Sequence, residues 1–321
     1  MVWRRAASLF AKTCAACAVA LIAACAPTLA PRGTADVPPA IASGDFITRD
    51  GLHLPVRHWD AKEPKAIIVA LHGMSDYSNA FAIPAPYLTE HGVSVVAYDQ
   101  RSFGRAPNPG VWPGGDALRS DLHDFVEIVR TQHPNIPVIA LGESMGGAVL
   151  LSSLASDHKP NVDGVILVAP AVWSREDMPF YYRIALWTAA HFLPSMTVSG
   201  KGLKIWPSDN IDMLRAISRD PLFQKQTRSD AVWGLVNLMD DARHAPEKLS
   251  NPPPILIVYG AKDQIIPAKP TKAVIAALGD RAEVHEYPNG YHMLLRDRDR
   301  EAPLNDIVDW VGKLEKIKPS H

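Results

Sequence analysis

Gly142-Glu143-Ser144-Met145-Gly146-Gly147 is the stretch from which the rest of the chain is placed. Glycine has no Cβ, so neighbouring backbone can crowd a turn built from it. A serine between glycines at this spacing can stand on a sharp turn from strand to helix, its Oγ projecting into a cleft. The flanks agree. Upstream, Val138-Ile139-Ala140-Leu141 is a short apolar run of strand character; downstream, Ala148-Val149-Leu150-Leu151-Ser152-Ser153-Leu154 reads as a buried helix.

Working outward, continuous apolar runs recur at Ala66-Ile67-Ile68-Val69-Ala70-Leu71, Val93-Ser94-Val95-Val96-Ala97-Tyr98, Val165-Ile166-Leu167-Val168 and Ile255-Leu256-Ile257-Val258-Tyr259. Strands buried on both faces require such runs. Between them, Leu118, Leu122, Phe125, Ile128 and Val129 mark one apolar face at helical period. Asp50-Gly51, between Phe46-Ile47-Thr48-Arg49 and the alternating Leu52, Leu54 and Val56, is a two-residue hairpin signal. The alternation predicts an α/β fold: a mostly parallel, doubly wound sheet entered by an antiparallel hairpin. Residues 42–170 and 250–318 make its core.

The interval 171–249 breaks the rhythm, being far longer than a crossover helix needs. It holds Trp173, Trp187, Trp206 and Trp233, half of the tryptophans in the chain, with Phe180, Tyr181, Tyr182 and Phe192. Most of these aromatics are expected to form the core of a helical lid, and some to face a substrate.

A serine hydroxyl is a weak nucleophile near neutral pH; it needs a base within hydrogen-bond reach and an acid to orient that base. In a fold of this class both follow the serine, each on a loop after a late strand. Asp263 meets that condition in Tyr259-Gly260-Ala261-Lys262-Asp263, and Asp240 and Asp241 are alternatives within the lid. Ala282-Glu283-Val284-His285-Glu286-Tyr287 reads as a last strand, and His292 lies on the loop beyond it. His285 falls inside that strand and His72 comes too early. An oxyanion needs two backbone N–H donors. Met145, just after the serine, supplies one, and Met74, in the loop Leu71-His72-Gly73-Met74-Ser75, the other.

The N-terminus is a different material. Arg4, Arg5 and Lys12 precede a short apolar stretch ending Leu21-Ile22-Ala23-Ala24-Cys25. It is too short to span a bilayer and suits a secretory segment. Residues 1–24 therefore read as a signal peptide, and the ending resembles a bacterial lipobox, which implies that Cys25 is lipidated. All three cysteines, Cys14, Cys17 and Cys25, lie here, so no disulfide is expected after processing. The mature chain would carry 30 basic against 34 acidic residues, net −4. Membrane attachment would then rest on acyl chains, of which two or more hold stably. Residues 25–41, rich in proline and alanine, read as an extended tether.

With these residues in view, the chain over 46–314 resembles the serine hydrolases of the α/β-hydrolase superfamily. The nearest likeness is to the monoacylglycerol lipase and lysophospholipase group. The motifs are His72-Gly73-Met74-Ser75-Asp76-Tyr77-Ser78, Asp99-Gln100-Arg101-Ser102-Phe103-Gly104, Gly142-Glu143-Ser144-Met145-Gly146-Gly147, Gly260-Ala261-Lys262-Asp263 and Tyr291-His292. The resemblance implies Ser144 as nucleophile, Asp263 as acid and His292 as base. It also implies ester hydrolysis under a lid inserted between the sixth and seventh strands. Ser102, Ala106 and Glu143 depart from residues frequent in the group, the last standing where histidine is common.

Small soluble esters, amides or peptides are alternative substrates, since related folds run all these reactions. A non-catalytic envelope binding module is a reading of another class, weakened because all three triad residues are present. The near-balanced charge gives no reason to expect a nucleic-acid partner. The histidines show no metal-ligand spacing, so neither metal nor cofactor is expected, and no obligate protein partner is evident. The expected partners are a small-molecule ester or lipid substrate and a bacterial envelope membrane reached through the lipid anchor. On the lipoprotein reading, Cys25→Ala moves the protein from the membrane to the soluble fraction in cell fractionation.

Overall fold

The computed structural model describes residues 26–200, 202 and 204–317; the leader and Cys25 lie outside them. Strands are β1 (Ala40–Ala42), β2 (Asp45–Ile47), β3 (His53–Trp59), β4 (Ala66–Leu71), β5 (Val93–Tyr98), β6 (Val138–Glu143), β7 (Gly164–Val168), β8 (Thr197–Val198), β9 (Thr227–Arg228), β10 (Ile255–Gly260) and β11 (Ala282–Tyr287). Helices are α1 (Pro84–Glu90), α2 (Gly115–Gln132), α3 (Met145–Leu154), α4 (Phe180–Phe192), α5 (Ile211–Arg219), α6 (Ser229–His244), α7 (Ala268–Leu278) and α8 (Glu301–Ile317).

Nine of the described strands form one sheet in the order β1-β2-β3-β5-β4-β6-β7-β10-β11. From β5 to β11 every pairing is parallel, while β1, β2 and β3 join antiparallel. The apolar runs explain the layers. On β4, Ile67, Val69 and Leu71 face α2 and α3, whereas Ile68 and Ala70 face α1 and α8. The expected hairpin is present with a wider loop than Asp50-Gly51 alone, since its strand register ends at Ile47 opposite His53. Thr48 Oγ1 accepts the Leu52 N–H at 2.9 Å, so a side chain closes the turn and Gly51 takes φ +81°. Arg101 then fixes this turn to α2, its guanidinium reaching Asp50 at 2.7 Å and Asp121 at 2.5 Å.

The long insertion separates β7 from β10, which are the seventh and eighth strands of this sheet in chain order. Counted from β2 they are the sixth and seventh; the short β1 adds one ahead of the hairpin. Helix α6 lies within the core, with Ala231, Val236, Leu238, Met239 and Ala242 packed among the residues of α2 and α3. Helix α4 lies outside it. Of its thirteen residues only Ala190 is fully buried, and Phe180 is 70% and Ile184 60% exposed. The expectation that the lid aromatics form its own core is overturned there. Tyr181, Tyr182, Trp187 and Phe192 also face outward, because no second layer covers α4 among the described residues.

The proline-rich segment differs from an extended tether as well. Thr28 N–H donates to Asp230 Oδ2 at 3.3 Å, Ala30 N–H to Trp112 O at 2.8 Å, and Val37 N–H to Arg49 O at 2.9 Å. These bonds hold residues 28–37 against the fold as a strap.

Glycine at the serine turn answers a spatial demand. A Cβ on Gly142 would stand 2.4 Å from Gly146 O, and one on Gly146 2.2 Å from Leu71 O. Gly146→Ala should therefore push α3 off the sheet and destabilise the fold by about 3 kcal/mol. Gly312→Ala, where nothing lies within 4 Å, should be neutral or stabilising. Thermal denaturation of the two variants checks the contrast.

Candidate active site

Ser144 stands between β6 and α3 with φ 53° and ψ −114°, a backbone state that non-glycine residues rarely hold. Its neighbours hold it there. The Ser144 N–H donates to Val168 O at 2.9 Å, and its carbonyl accepts from Ala171 N–H at 2.9 Å. The side chain is left partly exposed at the mouth of the turn.

Asp263 and His292 arrive from loops after β10 and β11, adjacent parallel strands at the sheet edge. A Cβ on Gly260 would stand 2.2 Å from Gly290 O, so a bare glycine lets the two loops touch. His292 Nδ1 lies 2.7 Å from Asp263 Oδ2, and its Nε2 2.9 Å from Ser144 Oγ. The other Asp263 oxygen accepts N–H groups from Ile265 and Ile266 at 2.7 and 3.0 Å, which keeps the carboxylate from turning away. Nδ1–H donates to that carboxylate, leaving Nε2 to accept from the serine hydroxyl. The structure thus brings Ser144, Asp263 and His292 together.

The two expected backbone donors lie on the elements that flank Ser144. Met145 opens α3, so its N–H lies at the positive end of that helix. Met74 follows Gly73, where an added Cβ would sit 3.1 Å from Ser144 Cβ, so the loop after β4 passes over the nucleophile. His72 is buried and structural. Burial pushes its pKa down, Nε2 accepts the Gln100 N–H at 2.9 Å, and Nδ1 faces Gly73 O. The alternative acids are engaged elsewhere, Asp240 with Arg175 and Asp241 with Arg119. His285 lies between Asp306 and Glu283, at 2.9 Å from each.

Two buried residues beyond His292 escaped the sequence reading. Arg296 donates to Asp76 at 2.6 Å and to Glu143 at 3.0 Å. Burial opposes its charge, but Glu143 and Asp76 overcome this and raise its pKa above the ordinary arginine value. Asp297 accepts from Ser208 Oγ at 2.6 Å and from Tyr291 N–H at 2.7 Å, tying the inserted segment to the histidine loop. Met293 N–H donates to Pro207 O at 2.8 Å beside it. No motif announces either residue. The only signal is Glu143, a carboxylate at the end of an apolar strand run that needs a cation when buried.

A family model described as serine aminopeptidase, S33, matches residues 62–299. The chain belongs to this family. Within this hydrolase family, a monoacylglycerol lipase of Mycolicibacterium smegmatis is 26% identical over 269 residues, covering 78% of this chain and 89% of that one. The human monoglyceride lipase is 24% identical over 282 residues, covering 84% and 89%. Among solved structures, a soluble variant of Saccharomyces cerevisiae monoglyceride lipase superposes with a TM-score of 0.72 at 19% identity, over 89% of this chain and 99% of that one. A thermostable carboxyl esterase from Bacillus coagulans gives 0.69 at 20%, over 82% and 95%. These structural likenesses show the α/β-hydrolase fold. The chain is a serine-type α/β hydrolase whose relatives are lipases and esterases.

Burial pushes the Asp297 carboxyl up to about 6 from its ordinary 3.8, against the Ser208 and Tyr291 donors that favour its charge. The folded protein then holds a proton that the unfolded chain gives up earlier. Stability from this group is full below the ordinary value and falls as pH rises through about 6. The melting temperature of wild type minus that of Asp297→Asn should therefore fall between about pH 4 and 6 and level off above 7. A difference curve flat throughout would contradict the assignment.

Proposed function

We propose that this chain is a serine ester hydrolase of monoacylglycerol- or lysophospholipid-like lipids, working through an acyl-enzyme on Ser144. The observation that carries the reading is the His292 imidazole set between Asp263 and Ser144 at hydrogen-bond distance on both sides. His292 takes the serine proton as Oγ attacks the ester carbonyl, and Met74 and Met145 N–H receive the oxyanion. The protonated imidazole then gives its proton to the leaving alcohol. Water activated by the same base releases the acid.

Helix α4 supports a lipid substrate. Its large side chains, Phe180, Tyr181, Tyr182, Ile184, Trp187 and Phe192, are 47–70% exposed and would match an acyl chain or bilayer surface. The names of the bacterial and human relatives point the same way. The resemblance of Leu21-Ile22-Ala23-Ala24-Cys25 to a lipobox supports a place at the cell envelope, where such a substrate is at hand. No described helix is long and apolar enough to cross a membrane.

The family description favours a second reading, an aminopeptidase. A peptide's terminal ammonium calls for a carboxylate near the nucleophile. Glu143, just before Ser144, and Asp76, on the loop after β4, are both engaged by buried Arg296, which counts against it.

A fluorophosphonate should label Ser144, and Ser144→Ala and His292→Ala should each abolish most turnover. Asp263→Asn should keep the fold and lower kcat by about 10⁴. Across p-nitrophenyl esters and monoacylglycerols of increasing acyl length, activity should rise toward longer chains. An optimum at the shortest acyl groups, or faster cleavage of aminoacyl amides, would remove the lipase reading.

A further inference from the structure

We infer that Arg296 is a positioning residue that sets the nucleophile against the oxyanion loop, a role that rests on the serine-hydrolase reading above. Its side chain and both of its acceptors are at most 6% exposed. It lies at the end of the turn Leu294–Arg296, on the stretch of chain that carries His292. Nη1 donates to Asp76 Oδ2 at 2.6 Å and Nη2 to Glu143 Oε1 at 3.0 Å.

Where those acceptors sit gives the contact its meaning. Glu143 is the residue immediately before Ser144, and Met145 is the residue after it. Asp76 is two residues beyond Met74; its N–H returns to Gly73 O at 3.3 Å, and its Oδ1 takes the Tyr77 N–H at 2.9 Å. One guanidinium therefore joins the loop of the base, the turn of the nucleophile and the loop of the second oxyanion donor. Moving the serine turn or the Met74 loop shifts the Met74 and Met145 N–H groups against each other, and moving the third segment shifts His292 against Ser144 Oγ. Displacements of this kind, near 1 Å, cost about 10²-fold in rate without touching substrate. A planar fork suits this task, because two N–H groups of fixed spacing serve two separate carboxylates. A lysine ammonium is a point charge on a flexible stem and fixes no such spacing.

The role differs from plain stabilisation in what it predicts per competent site. Active-site titration with a fluorophosphonate counts working serines, and kcat and KM on a p-nitrophenyl ester are then expressed per titrated site. Arg296→Lys and Glu143→Leu should each lower kcat per site by about ten- to a hundredfold, with KM moving less than roughly threefold. Glu143→Gln, whose amide oxygen still accepts from Nη2, should recover most of the loss. If Glu143→Leu gives no folded protein, Arg296→Lys, which keeps the buried cation, carries the same comparison. Variants that melt earlier yet keep kcat per site within roughly threefold would overturn the inference. A wild type that takes no label at Ser144 would instead overturn the hydrolase reading beneath it.

Discussion

A serine with positive φ between a buried strand and a buried helix is a strained arrangement, costing on the order of 1–3 kcal/mol wherever it occurs. It persists here because both ends are held. Upstream, β6 is paired on both sides, by β4 and by β7. Downstream, every residue of α3 is buried. The Ser144 backbone bonds to Val168 and Ala171 close the turn on its third side. The surrounding layers supply the energy that keeps this one residue out of its preferred conformation. The rest of the site is arranged around the hydroxyl thereby displayed.

The parallel sheet solves a problem of distance. Ser144, Asp263 and His292 are far apart along the chain, but parallel strands send all their carboxyl ends to one edge. Loops after β4, β6, β10 and β11 emerge together there, which brings Ser144, Asp263 and His292 within hydrogen-bond reach and Gly73 beside the serine. Strand ends alone do not fix loops to one another. Contacts between loops do so, through the bare approach of Gly260 to Gly290, the fork of Arg296 and the Asp297 carboxylate that reaches the inserted segment.

Much of this could be read before any coordinates. Strands such as β4 and β10 are uninterrupted apolar runs because both faces are covered, and that pattern survives in one dimension. The triad was legible for a related reason, since glycine spacing marks a turn and the late loops leave few candidates. Arg296 and Asp297 were not legible. Their meaning lies in partners such as Asp76 and Ser208, and no local spacing encodes those pairings. The strap formed by residues 28–37 was missed because proline and alanine look featureless, while its bonds to Trp112, Arg49 and Asp230 run mainly through backbone. The lid aromatics run against the rule that large apolar residues go inside. On α4 the described residues offer no second layer for them to pack against.

That bare helix also governs how the molecule behaves as a solute. In plain buffer the hydrophobic term favours the meeting of two such faces, and detergent micelles or vesicles compete for the same area. Protein concentration and surfactant content therefore become state variables of the preparation, on the same footing as temperature. A single dispersed species is defined only once both are stated.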